Sequence, residues 1–518
     1  MKLLVLSADL WRLRMKCLIP ILFSLLASIS VAQTTDTLAD FIQSGQRDSA
    51  LELVRIGADV NQTQGDGTTP LHWAVYKVDV ALVETLLSRE ANPNAVNVFG
   101  ATPLAEAVKI ANIELVEMLL KAGADPDALN QDKQTALMLS ARIGALDIAE
   151  QLVKYGADVN VVEEWRGQTA LMWAAANNSA EIAKLLIKHG AEVNVRANVL
   201  DWGTQISSEP RNQYRPSAGM TALLYAARAG CLECIPALLK AGADINLPDP
   251  EGVTPLMVAI DNSNFDLASY LLKKGAYPHS WDWYGRTALY VAVDMNSYTG
   301  GFFESVVVKD EKNTALDIIE QLLQAGVNPD SQLNMLRPPR GANNGRFSDE
   351  LLDSGATPLL RAANSHDVEA SKLLLEYGAL VDLPNATGIT PFMAAAGFGG
   401  ARGLMGGRYG PNGEADALAL VELLLEAGAD VNAKITDTTS YTARNGRVSS
   451  LQSREGQTAL YGAAKQGWLA MMDYLLAHGA QKGVVDDQGK TLLDAAQVTG
   501  GRQGPPNETV IAYLKELL

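Results

Sequence analysis

Cys231 and Cys234 are the residues of this chain best spaced for chemistry. A Cys-x-x-Cys pair opening a helix is the arrangement of a thiol–disulfide catalyst, because the helix N-terminus stabilises a thiolate. Such a catalyst also needs a strand–helix–strand setting, and the flanking sequence offers none. A local disulfide and two partly buried thiols remain as alternatives. The five histidines, His72, His189, His279, His366 and His478, have no second His or carboxylate at ligand spacing. No Gly-x-Ser-x-Gly elbow marks a nucleophilic serine. Two Gly-bearing stretches invite a phosphate reading. Phe398–Gly413 lacks the Gly-Lys-Ser/Thr ending, and Gly489-Lys-Thr491 lacks the upstream Gly. The first reads as a flexible insertion. The carboxylates fall mostly at recurring, solvated positions. No cofactor, no metal and no enzymatic activity are expected.

The elements that would position these residues repeat. Thr221-Ala-Leu-Leu-Tyr-Ala-Ala opens a phrase that closes at Gly242-Ala-Asp-Ile-Asn246, and Thr254-Pro-Leu-Met-Val-Ala259 opens it again 33 residues on. Thr254 suits a helix N-cap and Pro255 the first helical position. A short Ala-rich helix follows, a Gly breaks it, and a second helix carries Leu238-Leu239. Gly242 stands where a left-handed C-terminal residue is wanted. One such unit cannot bury both faces of its helix pair, whereas stacked copies can.

These residues resemble the ankyrin repeat in its Thr-Pro-Leu-His-x-Ala opening and its Gly-Ala-Asp-Val-Asn close. Thr69-Pro-Leu-His-Trp-Ala74 matches the opening fully. It recurs at Thr102, Thr135, Thr169, Thr221, Thr254, Thr287, Thr357, Thr390, Thr458 and, weakly, Thr491. Gly57-Ala-Asp-Val-Asn61 closes an incomplete leading unit. The resemblance implies an all-α solenoid of about 12 helix-pair units joined by hairpin fingers, and a protein-binding role. In the family, Cys234 would stand at an apolar core position and His72 would hydrogen-bond inside the fold.

The first residues read as a secretory signal. Lys16 precedes the apolar run Cys17–Ala27, and Ser30-Val-Ala32 is a small-x-small cleavage site. Met15-Lys16 would be a more typical start than Met1. The expected division is a signal peptide over 1–32 and a solenoid over 33–518, with 33–68 as N-terminal cap and 491–518 as C-terminal cap. No membrane span is expected after cleavage, and the localisation is periplasmic or secreted. Losing residues 1–32 deepens a net charge of −17 by three more negative units. That sign argues against a nucleic-acid partner, because phosphate backbones require Lys and Arg.

Spacing places five insertions. Three fall in fingers, at about 196–217, 331–354 and 434–455, and two fall between the helices of one repeat, at about 296–312 and 398–414. The finger insertions carry ten basic residues against seven acidic ones, so they are basic patches on an acidic chain. Insertions in repeat proteins map to loops, often on the binding face. Trp202, Arg211, Tyr214, Arg215, Arg337, Arg340, Arg346, Tyr441, Arg444 and Arg447 are therefore candidate partner-binding residues. Phe99, Trp165, Trp283 and Tyr284 join them as aromatics at finger tips. Two readings compete for the insertion arginines: contact with a partner, or pairing with the acidic body of the chain.

The expected function is a periplasmic protein-interaction scaffold that binds an exported or envelope-associated protein on its concave finger and helix face. The alternatives are an accessory subunit of an exported redox or hydrolytic enzyme, and a binder of envelope glycans or lipid head groups.

Overall fold

The computed structural model describes residues 36–201, 216–297, 311–334, 351–352, 354–398, 413–436, 454–497 and 508–517. The apolar N-terminal segment and most of each insertion lie outside these residues. The chain divides into two compact units, Met1–Gln131 and Asp132–Leu518.

The described part of the first unit holds three helix pairs: α1 (Leu38–Gln43) and α2 (Arg47–Arg55), α3 (Pro70–Tyr76) and α4 (Val80–Ser88), α5 (Pro103–Lys109) and α6 (Ile113–Lys121). α3 packs between α1 and α5, and α4 packs on α6. The leading pair has a start signal of its own. Thr37 and Asp40 form a capping box on α1, with the Thr37 N–H donating to Asp40 Oδ2 at 2.6 Å.

The second unit continues the scheme with α7 (Ala136–Ile143), α8 (Leu146–Lys154), α9 (Ala170–Ala176), α10 (Ala180–Lys188), α11 (Ala222–Ala229), α12 (Ile235–Lys240), α13 (Pro255–Asp261), α14 (Phe265–Lys273) and α15 (Ala288–Asn296). Then come α16 (Ala315–Gln324), α17 (Pro358–Ala363), α18 (Val368–Glu376), α19 (Pro391–Met393), α20 (Gly413–Glu426), α21 (Ala459–Gln466), α22 (Leu469–Ala477), α23 (Leu492–Gln497) and α24 (Glu508–Leu517). The odd-numbered helices from α7 to α17 pack in one row, each on the next. The chain is thus an all-α ankyrin-type solenoid, as the resemblance implies.

The same local physics builds each inner helix. Thr69, Thr102, Thr135, Thr169, Thr221, Thr254, Thr287, Thr357 and Thr390 are extended N-caps, and each hydroxyl accepts a hydrogen bond from the N–H three residues on. Ala at the crossing points, such as Ala74, Ala107, Ala174 and Ala226, is fully buried and lets the helices approach closely. The left-handed Gly242 (φ 91°) ends α12.

Fingers between pairs are closed by a backbone neck and then joined side by side. The neck is one hydrogen bond across the turn, as from the Asp249 N–H to the Val253 carbonyl at 3.0 Å. The next finger then donates to the previous one: Val98 N–H to Asp66 O at 2.8 Å in the first unit, and Asn198 to Arg166 (2.7 Å) and Trp283 to Glu251 (2.7 Å) in the second. The approach is close enough that a Cβ on Gly167 would lie 2.6 Å from the Asn198 nitrogen.

The three finger insertions keep this neck. Ala197 donates to Met220 (3.0 Å), Leu333 to Ala356 (3.0 Å) and Ile435 to Gln457 (3.1 Å). The residue that bonds to the previous finger follows the first neck residue each time, at the start of the insertion: Asn198, Asn334 to Tyr284 at 2.8 Å, and Thr436 to Thr387 at 3.2 Å. The first neck extends into a feature the helical pattern does not announce. β1 (Val199–Asp201) pairs antiparallel with β2 (Pro216–Ala218), in the register Val199 with Ala218.

Candidate partner-binding surface

Finger turns are organised by the side chain that opens them. In the first unit, Asn97 Oδ1 accepts from the N–H groups of Phe99 and Ala101, both at 3.0 Å. That clasp turns Phe99 outward, and it is 58% exposed after the exposed Val96 and Val98. The neighbouring inner helix α3 carries Trp73 and Tyr76, packed edge to face with centroids 5.7 Å apart. The Trp73 indole donates to Gln64 Oε1 at 2.7 Å, and Gln64 in turn donates to Asp40 and Gln43.

In the second unit, Glu163 opens a finger one residue longer. Its carboxylate accepts from the N–H groups of Trp165 (2.7 Å), Arg166 (2.7 Å) and Gln168 (3.2 Å). Trp165 is left 70% exposed. Asp249 clasps the next turn through Glu251 and Val253, both at 2.9 Å. Burial pushes its carboxyl up to about 6, and the charges of Glu251 and Asp282 push the same way against the N–H donors. Asp282 accepts from Tyr284 N–H (3.0 Å), Arg286 N–H (2.9 Å) and Arg286 Nε (2.6 Å).

The Asp282 clasp decides the aromatic cluster Trp281–Tyr284. Alternate residues of the turn point opposite ways, so Trp281 is 66% and Trp283 43% exposed while Tyr284 is buried at 4%. Tyr284 is therefore corrected from a surface anchor to a packing residue, lying 6.0 Å from the Arg286 guanidinium. Phe99, Trp165 and Trp283 are at the surface as expected, and Trp281 joins them. The candidates Trp202, Arg211, Tyr214, Arg215, Arg337, Arg340, Arg346, Tyr441, Arg444 and Arg447 lie outside the described residues.

Cys231 and Cys234 form a disulfide. Both sulfur-bearing residues are buried, on a turn of 3-10 helix that leads into α12. Of the two alternatives, the local disulfide is the one observed. His72 is engaged inside the fold. Its Nδ1 lies 2.8 Å from Thr69 Oγ1 and its Nε2 2.9 Å from the Ala101 carbonyl, and burial lowers its pKa. His366 packs 5.7 Å from Trp468, and burial pulls it down to about 4. Among the described residues no group of three His, Cys, Asp or Glu could hold a metal, and no helix is long and apolar enough to cross a membrane.

The inner helices carry polar chemistry that the spacing argument passed over. On α15 and α17, Asp294 and Arg361 make a buried ion pair at 2.6 Å. On α7 and α11 the cations are exposed. Arg142 lies 5.8 Å from the Trp173 ring and Arg228 4.9 Å from the Tyr225 ring. Trp173 and Tyr225 occupy the fifth place of the repeat opening, the same place as Trp73, and that coincidence is the signal that could have found them.

Paired helices in stacked rows, joined by fingers that hold aromatics outward, define a helical-repeat binding scaffold. The chain belongs to the ankyrin-repeat family. The family described as Ankyrin repeats (3 copies) matches residues 38–130, 106–197, 205–282 and 223–300, and the Ankyrin repeat matches 354–386, together more than half of the sequence. A search among curated proteins finds no match. Ankyrin repeats are protein-interaction modules and generally not catalytic.

Proposed function

We propose that this protein is exported and serves as a binding scaffold in the periplasm of a Gram-negative bacterium, holding an envelope-associated or secreted protein partner. The observation that carries the binding role is the set of aromatics that clasped turns hold outward: Phe99 in the first unit, and Trp165, Trp281 and Trp283 in the second. Large, rigid, amphipathic side chains of this kind dominate interface energetics. Export is supported by the apolar run Cys17–Ala27 with its small-x-small site, and by a disulfide, which persists in oxidising compartments. The role is binding rather than catalysis.

Two measurements test the two halves. The full-length chain fused to alkaline phosphatase should give enzyme activity from the periplasm, and a cytoplasmic fusion product would overturn export. The purified chain should retain one envelope protein from periplasmic extract, and Trp165→Ala/Trp283→Ala should lose at least half of it. Equal retention by both would move binding off the fingers. Retention of nothing by the wild type would sink the scaffold reading.

A further inference from the structure

The inner helices α7, α9 and α11 form a consecutive acid-free run in an acidic chain. Their sequences, Ala136-Leu-Met-Leu-Ser-Ala-Arg-Ile143, Ala170-Leu-Met-Trp-Ala-Ala-Ala176 and Ala222-Leu-Leu-Tyr-Ala-Ala-Arg-Ala229, contain no Asp or Glu. They pack on one another in that order, so Arg142, Trp173, Tyr225 and Arg228 share one face. Arg142 and Arg228 are exposed, and neither makes an ion pair among the described residues. Two arginines of later repeats behave otherwise: Arg286 and Arg361 are held by Asp282 and Asp294. The acid-free stretch ends at α13, which carries Asp261.

A second observation on the same face is independent of charge. The Trp173 Nε1 donor is buried and has no hydrogen-bond partner. Gln168 donates through Nε2 to the Tyr225 hydroxyl at 2.6 Å, while its buried Oε1 accepts nothing. Gln168 stands just before the Thr169 cap and Trp173 at the fourth helical position, places that neighbour one another at a helix start. Buried polar groups are almost always paired, so an unused donor and an unused acceptor at one helix start mark polar capacity that a small side-chain movement would open to a ligand. A peptide backbone fits that capacity, with a carbonyl for the indole and an N–H for the amide oxygen.

We propose that the face formed by α7, α9 and α11 binds an extended acidic peptide segment of the partner protein. Carboxylates of the segment pair with Arg142 and Arg228, which present planar forked donors suited to them. The peptide backbone meets Trp173 and Gln168, and Trp173 and Tyr225 supply the apolar floor. The cations already sit against aromatic rings, which limits the freedom they lose on binding. The proposal rests on the scaffold reading and names the chemistry of what is held.

The test uses fluorescence anisotropy on the purified chain with three fluorescein-labelled peptides of alternating sequence, Glu/Leu, Gln/Leu and Lys/Leu. The Glu/Leu peptide should bind at least ten times more tightly than the other two, with an affinity that falls as salt is raised. Arg142→Glu/Arg228→Glu should cost at least tenfold, and the milder Arg142→Gln/Arg228→Gln severalfold. Both positions are exposed, so circular dichroism should be unchanged. Trp173→Phe should cost severalfold. Equal binding of the Glu/Leu peptide by wild type and the charge-reversed variant overturns the proposal, as does no binding by the wild type. Binding of phosphatidylglycerol vesicles in place of the peptide overturns it in favour of an anionic lipid surface. If the periplasmic partner is retained equally by Arg142→Glu/Arg228→Glu, the scaffold reading survives and this inference alone falls.

Discussion

Trp73 and Trp173 hold the same place in two copies of one repeat, in different compact units, and their indole nitrogens have opposite fates. Trp73 donates to Gln64 at 2.7 Å, whereas Trp173 donates to nothing. The difference begins in the fingers. Gln64 and Glu163 open equivalent turns, since each N–H donates to the carbonyl that closes its neck, Thr68 at 2.9 Å and Gln168 at 3.0 Å. The Glu163 turn is one residue longer and needs its opening side chain to gather three backbone N–H groups. The Gln64 turn makes no such demand, and the amide is spent on the indole. The residue that opens a finger therefore decides whether the indole on the helix beside it finds an acceptor.

The strongest way to break this comparison is at Glu163. Glu163→Ala leaves three turn N–H groups without their acceptor and should cost about 3 kcal/mol, read by urea unfolding, with faster amide exchange at Trp165 and Arg166. Asp249→Asn asks whether a clasp needs a carboxylate at all, since Asn97 performs the same task. A carboxyl raised to about 6 in the fold binds its proton more tightly there than when unfolded. Its contribution is thus present below about pH 4 and is lost as pH rises to about 6. Asp249→Asn should gain about 2 kcal/mol at neutral pH and little in acid, so the gap between the two melting temperatures should widen with pH.

Smaller effects sharpen the contrast. Gln64→Leu makes Trp73 resemble Trp173 and should cost about 1–2 kcal/mol, measured as a lowered urea midpoint at unchanged slope. Trp173→Phe removes a donor that nothing accepts and should change stability by less than about 1 kcal/mol. Trp73→Phe, which strands the Gln64 oxygen, should cost about twice as much by the same measurement.

The helices were legible in the sequence because each unit announces itself through a Thr cap, an apolar pair and a left-handed Gly, all local signals. The insertions were legible for the same reason, as excess spacing between Gly and Thr. The cap at Thr37 was missed because its capping box ends in Asp40 and lacks the repeat opening. The Cys231–Cys234 spacing fits both a disulfide and two thiols, and only the fold discriminates. Tyr284 was misplaced because the phase of a turn is set by which backbone N–H groups Asp282 gathers. The face of Arg142, Trp173 and Arg228 was missed because its members lie in separate repeats and meet only through stacking of α7, α9 and α11.

The necks at Ala197–Met220, Leu333–Ala356 and Ile435–Gln457 have an engineering meaning. Each closes its insertion after the bond to the previous finger has been made, so the loop hangs from a finished frame. Lengthening a closed loop is cheap, about 0.6 kcal/mol per doubling. The three necks are thus sockets in which one loop can be exchanged for another while the helices behind stay in register. Recognition can change by cassette replacement, in evolution or in the laboratory, without redesign of the scaffold that carries it.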